Sequence, residues 1–307
     1  MSITLDRRSF LVGATALAGS AWAGRAFAVP PTSFRQGSFD ISVFSDGFIT
    51  LPGSIIAPDA TPDELAVILK RLEGHDGSAD LRVNIPLIRS GTDLILIDTG
   101  SGDKFQPSAG RLLDNMKAAG VDPASVTKVV FTHAHPDHSG GTIKPDGSLS
   151  FPNATYYVAA KEWDFWMRPD YETALPAVLH DFARGAQRDL GAVKDRVKIV
   201  RPGDDIVTGI RVLDTAGHTP GHISLEIAGG DGLIITADAI TNLIVSFEHP
   251  SWRFGFDTDQ DLGVKNRVAL IERAATEKTR LLGYHWSNPG AGIAEHKDGA
   301  FRYVPVT

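Results

Sequence analysis

Thr132-His133-Ala134-His135-Pro136-Asp137-His138-Ser139-Gly140-Gly141 puts three imidazoles and a carboxylate into six positions, directly after the apolar run Val129-Val130-Phe131. Imidazole nitrogen and carboxylate oxygen are favoured donors for zinc and similar divalent ions, and a buried strand entering a tight turn is a rigid mount for them. Pro136 stiffens that turn, and Gly140 and Gly141 let the backbone reverse without a Cβ clash. His133 and His135, two apart, can turn toward one ion while Asp137 and His138 turn toward another. Two ions need more donors, and the chain offers them after further apolar runs or glycine turns. They are His218, with His222, in Asp214-Thr215-Ala216-Gly217-His218-Thr219-Pro220-Gly221-His222, then Asp238 after Leu233-Ile234-Ile235-Thr236-Ala237, and His285 after Leu281-Leu282-Gly283-Tyr284. Any one of these also reads as a turn residue satisfied by hydrogen bonds. Their arrival in order after strand-like runs reads as a site.

Strands must deliver these residues. Phe39 to Phe44 alternates, turns at Asp46-Gly47 and resumes at Phe48 to Leu51, which predicts a hairpin. Val83 to Ile88 and Leu94 to Ile97 predict a second, turning through Ser90-Gly91. Gly110 to Ala119 has helical spacing at Leu112, Leu113 and Met116, with Gly120 placed to end it. Further strands are predicted at Val126 to Phe131, Tyr156 to Val158, Val197 to Val200, Ile206 to Leu213, Ile223 to Ile227, Leu233 to Thr236 and Leu281 to Tyr284. Helices are predicted at Lys161 to Met167, Ala174 to Leu190 and Asp259 to Ala275. Strands dominate each half and helices close each half, the pattern of two packed sheets with helices outside in one α/β domain.

The 307 residues, 42% of them hydrophobic, can bury one large core or two small ones. Asp6-Arg7-Arg8-Ser9-Phe10-Leu11 is a twin-arginine pattern, Phe10 to Ala21 is a short apolar stretch, and Ala26-Phe27-Ala28 is a small-x-small cleavage site. Residues 1–28 are therefore expected to be an export signal, 29–38 a lead and 39–307 the folded domain, working in the periplasm or outside the cell. No run of 18 apolar residues follows, so no membrane span is expected in the mature chain. A net charge of −7 gives nothing to gain from phosphate-backbone binding, which argues against nucleic acid as a partner. The absence of cysteine excludes disulfides, thiolate ligands and Cys nucleophiles.

The cluster from Thr132 to Gly141, the segment Gly217-His218-Thr219-Pro220-Gly221-His222, Asp238, His285 and Asp98-Thr99-Gly100 together resemble the metallo-β-lactamase superfamily in its dinuclear hydrolase branch, over roughly Phe39 to Pro305. Within it the chain is most similar to the methyl parathion hydrolase-like group. Ser45-Asp46-Gly47, Phe105-Gln106-Pro107, Gly110-Arg111-Leu112, Lys117-Ala118-Ala119-Gly120, Phe151-Pro152-Asn153-Ala154, Asp164-Phe165-Trp166 and the tail from Phe301 to Val306 carry that likeness. The resemblance implies an αβ/βα sandwich of two mixed sheets with helices on the outer faces. It implies one ion on His133, His135 and His218, a second on Asp137, His138 and His285, and Asp238 bridging them, with Asp98 and His222 orienting ligands. It further implies a homodimer, and a substrate pocket with Phe105, Trp166 and Phe182 in it and Ile55 and Ile56 in an overhanging N-terminal loop.

Two divalent ions about 3.5–4 Å apart share a hydroxide as nucleophile and polarise the electrophile, so hydrolysis at a carbonyl or phosphoryl centre is the expected reaction, with Asp137 and Asp238 at its heart. Zinc fits the donors, as do manganese, iron and cobalt. An aromatic, acidic mouth favours a neutral apolar substrate: an organophosphate triester, an aryl ester or a lactone. The alternatives are a quorum-quenching acyl-homoserine lactonase, a mononuclear iron dioxygenase and a metal-binding module without turnover. A β-lactamase is disfavoured, because that branch typically lacks the histidine matching His138.

Overall fold

The computed structural model describes residues 28–306 apart from residue 289, so all of the expected export signal but Ala28 lies outside the described residues. Two seven-stranded sheets pack face to face, as expected of a metallo-β-lactamase-type α/β sandwich. The first runs in chain order, β1 (Thr32–Gln36), β2 (Phe39–Pro52), β3 (Ser78–Ser90), β4 (Asp93–Ile97), β5 (Lys128–Val130), β6 (Thr155–Ala159) and β7 (Val197–Val200). Its pairs are antiparallel up to β4 and parallel from β4 to β7. The second comprises β8 (Asp205–Val207), β9 (Ile210–Asp214), β10 (Ile223–Ile227), β11 (Leu233–Ala237), β12 (Arg280–Gly283), β13 (Ala291–Lys297) and β14 (Ala300–Pro305), with only β11 and β12 parallel.

Alternation along the strands sorts the core. Ile95 and Ile97 of β4 face the second sheet, where they join Val212, Leu225 and Ile235, while Leu94 and Leu96 face the helices on the first sheet's outer side. Those helices are α1 (Gly53–Ile56), α2 (Pro62–Arg71), α3 (Leu112–Ala118), α4 (Pro136–Ser139), α5 (Ala160–Trp166), α6 (Tyr171–Ala174) and α7 (His180–Ala192); α8 (Val245–Glu248) and α9 (Gln260–Glu277) cover the second sheet. No helix among the described residues is long and apolar enough to cross a membrane.

Several sequence expectations change. Asp46-Gly47 is not a hairpin turn: β2 continues through it, and the register against β3 shifts between Ser45 and Gly47, a bulge that turns the Asp46 carboxyl inward. There Asp46 accepts the backbone N–H groups of Ser101 (2.8 Å), Gly110 (3.0 Å) and Leu112 (2.7 Å). The lead at 29–38 carries β1, paired to β2 over its whole length. Ile206 to Leu213 is two strands joined by a turn at Thr208-Gly209, and the long helix begins at His180 because Pro176 interrupts it. Helix α2, capped by the reciprocal Thr61 and Glu64 contacts, and the β13–β14 hairpin are elements that the apolar spacing did not indicate.

Candidate metal centre

Parallel neighbours end on the same edge of a sheet, and this is what gathers the donors. Asp98 follows β4 and His133 follows β5; Asp238 follows β11 and His285 follows β12; His218 lies beyond the end of β9. The backbone is left-handed at Asp98 (φ 64°) and Ala237 (φ 44°), conformations that non-glycine residues adopt at a cost and that cluster at functional sites. Gly140 and Gly141 have ordinary φ values. They are needed for close approach, since a Cβ would lie 2.4 Å from the Ser101 carbonyl oxygen at the first and 2.0 Å from that of Thr99 at the second.

Three buried donor groups converge, each with its ligand atoms within 4.8 Å of one another: His133, His135 and His218; His133, His138 and Asp238; Asp137, His138 and His285. His135 Nδ1 and His218 Nε2 approach to 2.9 Å. Asp238 sits between the groups, with Oδ2 at 3.3 Å from both His218 Nε2 and His285 Nε2 and Oδ1 at 3.4 Å from His138 Nε2. Asp137 Oδ2 is 3.3 Å from His285 Nε2 and 3.6 Å from His138 Nε2. His133 Nε2, His138 Nε2 and Asp238 Oδ1 are buried without a hydrogen-bond partner. Leaving three such atoms unpaired is costly, and divalent cations between them would satisfy all three, so the residues fit the ions.

Three of the metal-facing imidazoles are aimed by the bond the other ring nitrogen makes. His138 Nδ1 donates to Asp98 Oδ2 (2.8 Å), and Asp98 also accepts the Thr132 N–H (2.8 Å) and hydroxyl (2.7 Å). His285 Nδ1 donates to the Arg82 carbonyl (2.9 Å). His218 Nδ1 donates to Asp257 Oδ1 (2.9 Å), and Arg267 of α9 donates to the other oxygen of that carboxylate (2.9 Å). His222 turns Nε2 to the Asp238 N–H (3.0 Å) and Nδ1 to the Thr215 hydroxyl (2.9 Å), so it holds the Asp238 backbone and leaves the donor set to the others. Asp257 and Arg267 were invisible in the sequence: a lone Asp after an aromatic turn and an Arg inside a helix match no ligand spacing.

Burial, with the neighbouring imidazoles, holds His133 and His135 well below the ordinary imidazole range, keeping them neutral donors. His222 is lowered to about 3 by burial first and His218 second. Burial works against the proton on His138 too, but Asp238, Asp137 and Asp98 outweigh it and hold that ring well above the ordinary range. A cation beside His138 would take over the charge that the proton carries.

The mouth above the donors is lined by Ile49, Leu51, Phe105, Phe182, Phe254 and Phe256. Phe105 and Phe182 thus stand at the entrance. Ile55 lines an adjoining cavity of about 690 Å³ that reaches His135 and Phe182 and is walled by Phe165, Leu175, Leu179 and Phe256. Trp166 does not line the mouth. It is fully buried behind the site, edge-on to His135 at 5.9 Å, with its indole N–H donated to Glu162. Ile56 is likewise core, because the single turn of α1 points it inward.

A model of the family described as the metallo-beta-lactamase superfamily matches residues 79–282. The chain is 33% identical over 142 residues to the N-acyl homoserine lactonase AttM of Agrobacterium fabrum, an alignment covering 43% of this chain and 48% of that one. It therefore spans about half the length of such curated relatives. Among solved structures, the dizinc quorum-quenching lactonase AidC, in complex with a product N-hexnoyl-L-homoserine, superposes with a TM-score of 0.84 at 29% identity, covering 91% of this chain and 98% of that one. The hydrolase AbOPH of the beta lactamase superfamily gives the same values.

Proposed function

This chain belongs to the metallo-beta-lactamase superfamily, and from that premise we propose that it is a dinuclear metal-dependent hydrolase of neutral ester-type substrates, with an acyl lactone as the substrate class best supported. The observation that carries the reading is Asp238, placed within 3.3–3.4 Å of His218 on one side and of His138 and His285 on the other. His133, His135 and His218 would hold one divalent ion and Asp137, His138 and His285 the other, with Asp238 reaching both. The donors suit zinc, and the dizinc neighbour AidC supports that choice. Two such ions supply Lewis acidity and a water acidic enough to be a nucleophile at neutral pH.

The rest is done by the chain. Asp98, Asp257 and the Arg82 carbonyl fix ring orientation, so the donors are preorganised. The phenylalanine rings at the mouth exclude water from the reacting ester. A lactone carbonyl over Asp238 would leave its acyl chain to the apolar cavity beside His135 and Phe182. The lactone itself is supported by AttM and by the homoserine product held by AidC. A second reading, an aryl ester or organophosphate triester, is favoured by Phe105, Phe182, Phe254 and Phe256 surrounding one opening. The twin-arginine pattern at Arg7-Arg8 supports export of the chain as part of the same proposal.

The test is a panel of acyl-homoserine lactones of increasing chain length beside an aryl phosphotriester, run on protein of measured metal content. Lactone turnover with two ions per chain is expected, and Asp238→Asn should reduce it by roughly a thousandfold or more while the fold persists. Turnover that survives this substitution, or one ion per chain, would overturn the two-ion reading. Two ions without turnover on any ester would leave a metal-binding module.

A further inference from the structure

Glu162, in α5, is fully buried and is not among the metal-binding groups. Its carboxylate has four donors around it. Oε1 accepts the Ala134 N–H (2.9 Å) and the Trp166 indole N–H (2.6 Å); Oε2 accepts the Thr219 hydroxyl (2.6 Å) and the Gly221 N–H (3.1 Å). Ala134 is the residue between His133 and His135. Thr219 directly follows His218, and Gly221 directly precedes His222. The approach is close enough that a Cβ on Gly221 would lie 2.0 Å from the Glu162 backbone nitrogen. One side chain therefore clasps the loop that leaves the first sheet to the loop that leaves the second, and through Trp166 it also backs the ring of His135.

A buried carboxylate is costly unless its lone pairs are used, and here four donors use them. Both clasped loops serve the donor group His133, His135 and His218; the first loop also carries Asp137 and His138, three and four residues beyond the clasped Ala134. The other group is held by different means: Asp98 on His138, the Arg82 carbonyl on His285, and the Tyr284 hydroxyl donating to the Asp137 carbonyl (2.7 Å). We infer that Glu162 is a positioning residue that sets the geometry of the His133, His135 and His218 half of the centre far more than that of the Asp137, His138 and His285 half. This rests on the two-ion reading above. Removal of Glu162 lets the two loops part at Ala134 and Thr219, while the Asp98, Tyr284 and Arg82 contacts that hold the second half remain in place. Glu162→Gln keeps one oxygen for two donors but turns an amide N–H₂ toward Thr219 and Gly221, of which the hydroxyl can reverse its role and the Gly221 N–H cannot.

The experiment is zinc stoichiometry by mass spectrometry and stepwise affinity by chelator competition, for wild type, Glu162→Ala and Glu162→Gln, with circular dichroism of the stripped proteins as the folding control. The expected result is two ions in wild type, with Glu162→Ala weakening one of them by roughly ten- to a hundredfold and the other by less than about threefold. Glu162→Gln should fall between, and it decides alone if the alanine variant does not fold. The retained ion is assigned by combination: adding His285→Ala to Glu162→Ala should leave no tight ion, whereas adding His218→Ala should leave one. Unchanged affinities in both Glu162 variants, or equal weakening of both ions, would overturn the inference. A single ion in wild type would instead overturn the two-ion reading, and Glu162 is then judged by whether its loss weakens that ion.

Discussion

Asp257 Oδ1 lies 2.9 Å from His218 Nδ1, and the guanidinium of Arg267 holds the other oxygen of the same carboxylate at 2.9 Å. A helix on the outer face of the second sheet is thereby tied to an imidazole of the metal centre. Asp257→Asn should lower the affinity of one ion by roughly ten- to a hundredfold, read by chelator competition. Asp257→Ala should also destabilise the protein by about 3–5 kcal/mol in urea unfolding, because it strands a buried Arg267.

Metal loading should release protons. His138 is held well above the ordinary imidazole range by Asp238, Asp137 and Asp98 acting against burial, so at pH 7 without metal it carries a proton that a cation must displace. Calorimetric zinc titrations in buffers of different ionisation enthalpy should show at least one proton leaving per chain. Apparent affinity should fall as the pH is lowered from 8 to 6. Zinc uptake without proton release would refute this.

Burial raises Asp46 to about 6 from 3.8, so the folded state binds this proton more tightly than the unfolded state. Stability from this group is therefore present below about pH 4 and is lost as pH rises through about 6, by about 3 kcal/mol. Asp46→Asn removes that slope. The difference in unfolding free energy between wild type and variant should therefore shrink from pH 4.5 to pH 7.5, and a constant difference would contradict it.

Phe182 stands both at the mouth and in the adjoining cavity, and its ring centroid is 5.1 Å from that of His135. Phe182→Ala should raise KM for a long-chain lactone by about tenfold, in line with about 1–3 kcal/mol for a lost apolar contact, with kcat changed less. Short-chain lactones should respond less. Equal effects at all chain lengths would remove the cavity from substrate binding.

The donor residues were legible because chemistry concentrated them: six positions hold four of them, and Asp238 and His285 end apolar runs whose strand character was plain. The layers were legible because the unbroken apolar runs of β4 and β11 need cover on both faces of each sheet. What supports the donors was not. Glu162 sits in a short helix where a glutamate reads as solvent-facing, and Asp257 meets Arg267 only through tertiary packing. Asp46-Gly47 carried a hairpin signal that the neighbouring 100–112 loop overrode by using the carboxylate. The Thr61 to Glu64 capping signature was readable and marks α2 without any apolar periodicity.

The chain passes from the first sheet to the second between Val200 and Asp205, through four exposed residues. His133, His135, Asp137 and His138 lie before that passage, and His218, Asp238 and His285 after it. Neither polypeptide produced by a cut there would own a complete coordination set. Divalent ions would then act as a coincidence detector for reassembly, holding the two fragments together where either alone binds metal loosely.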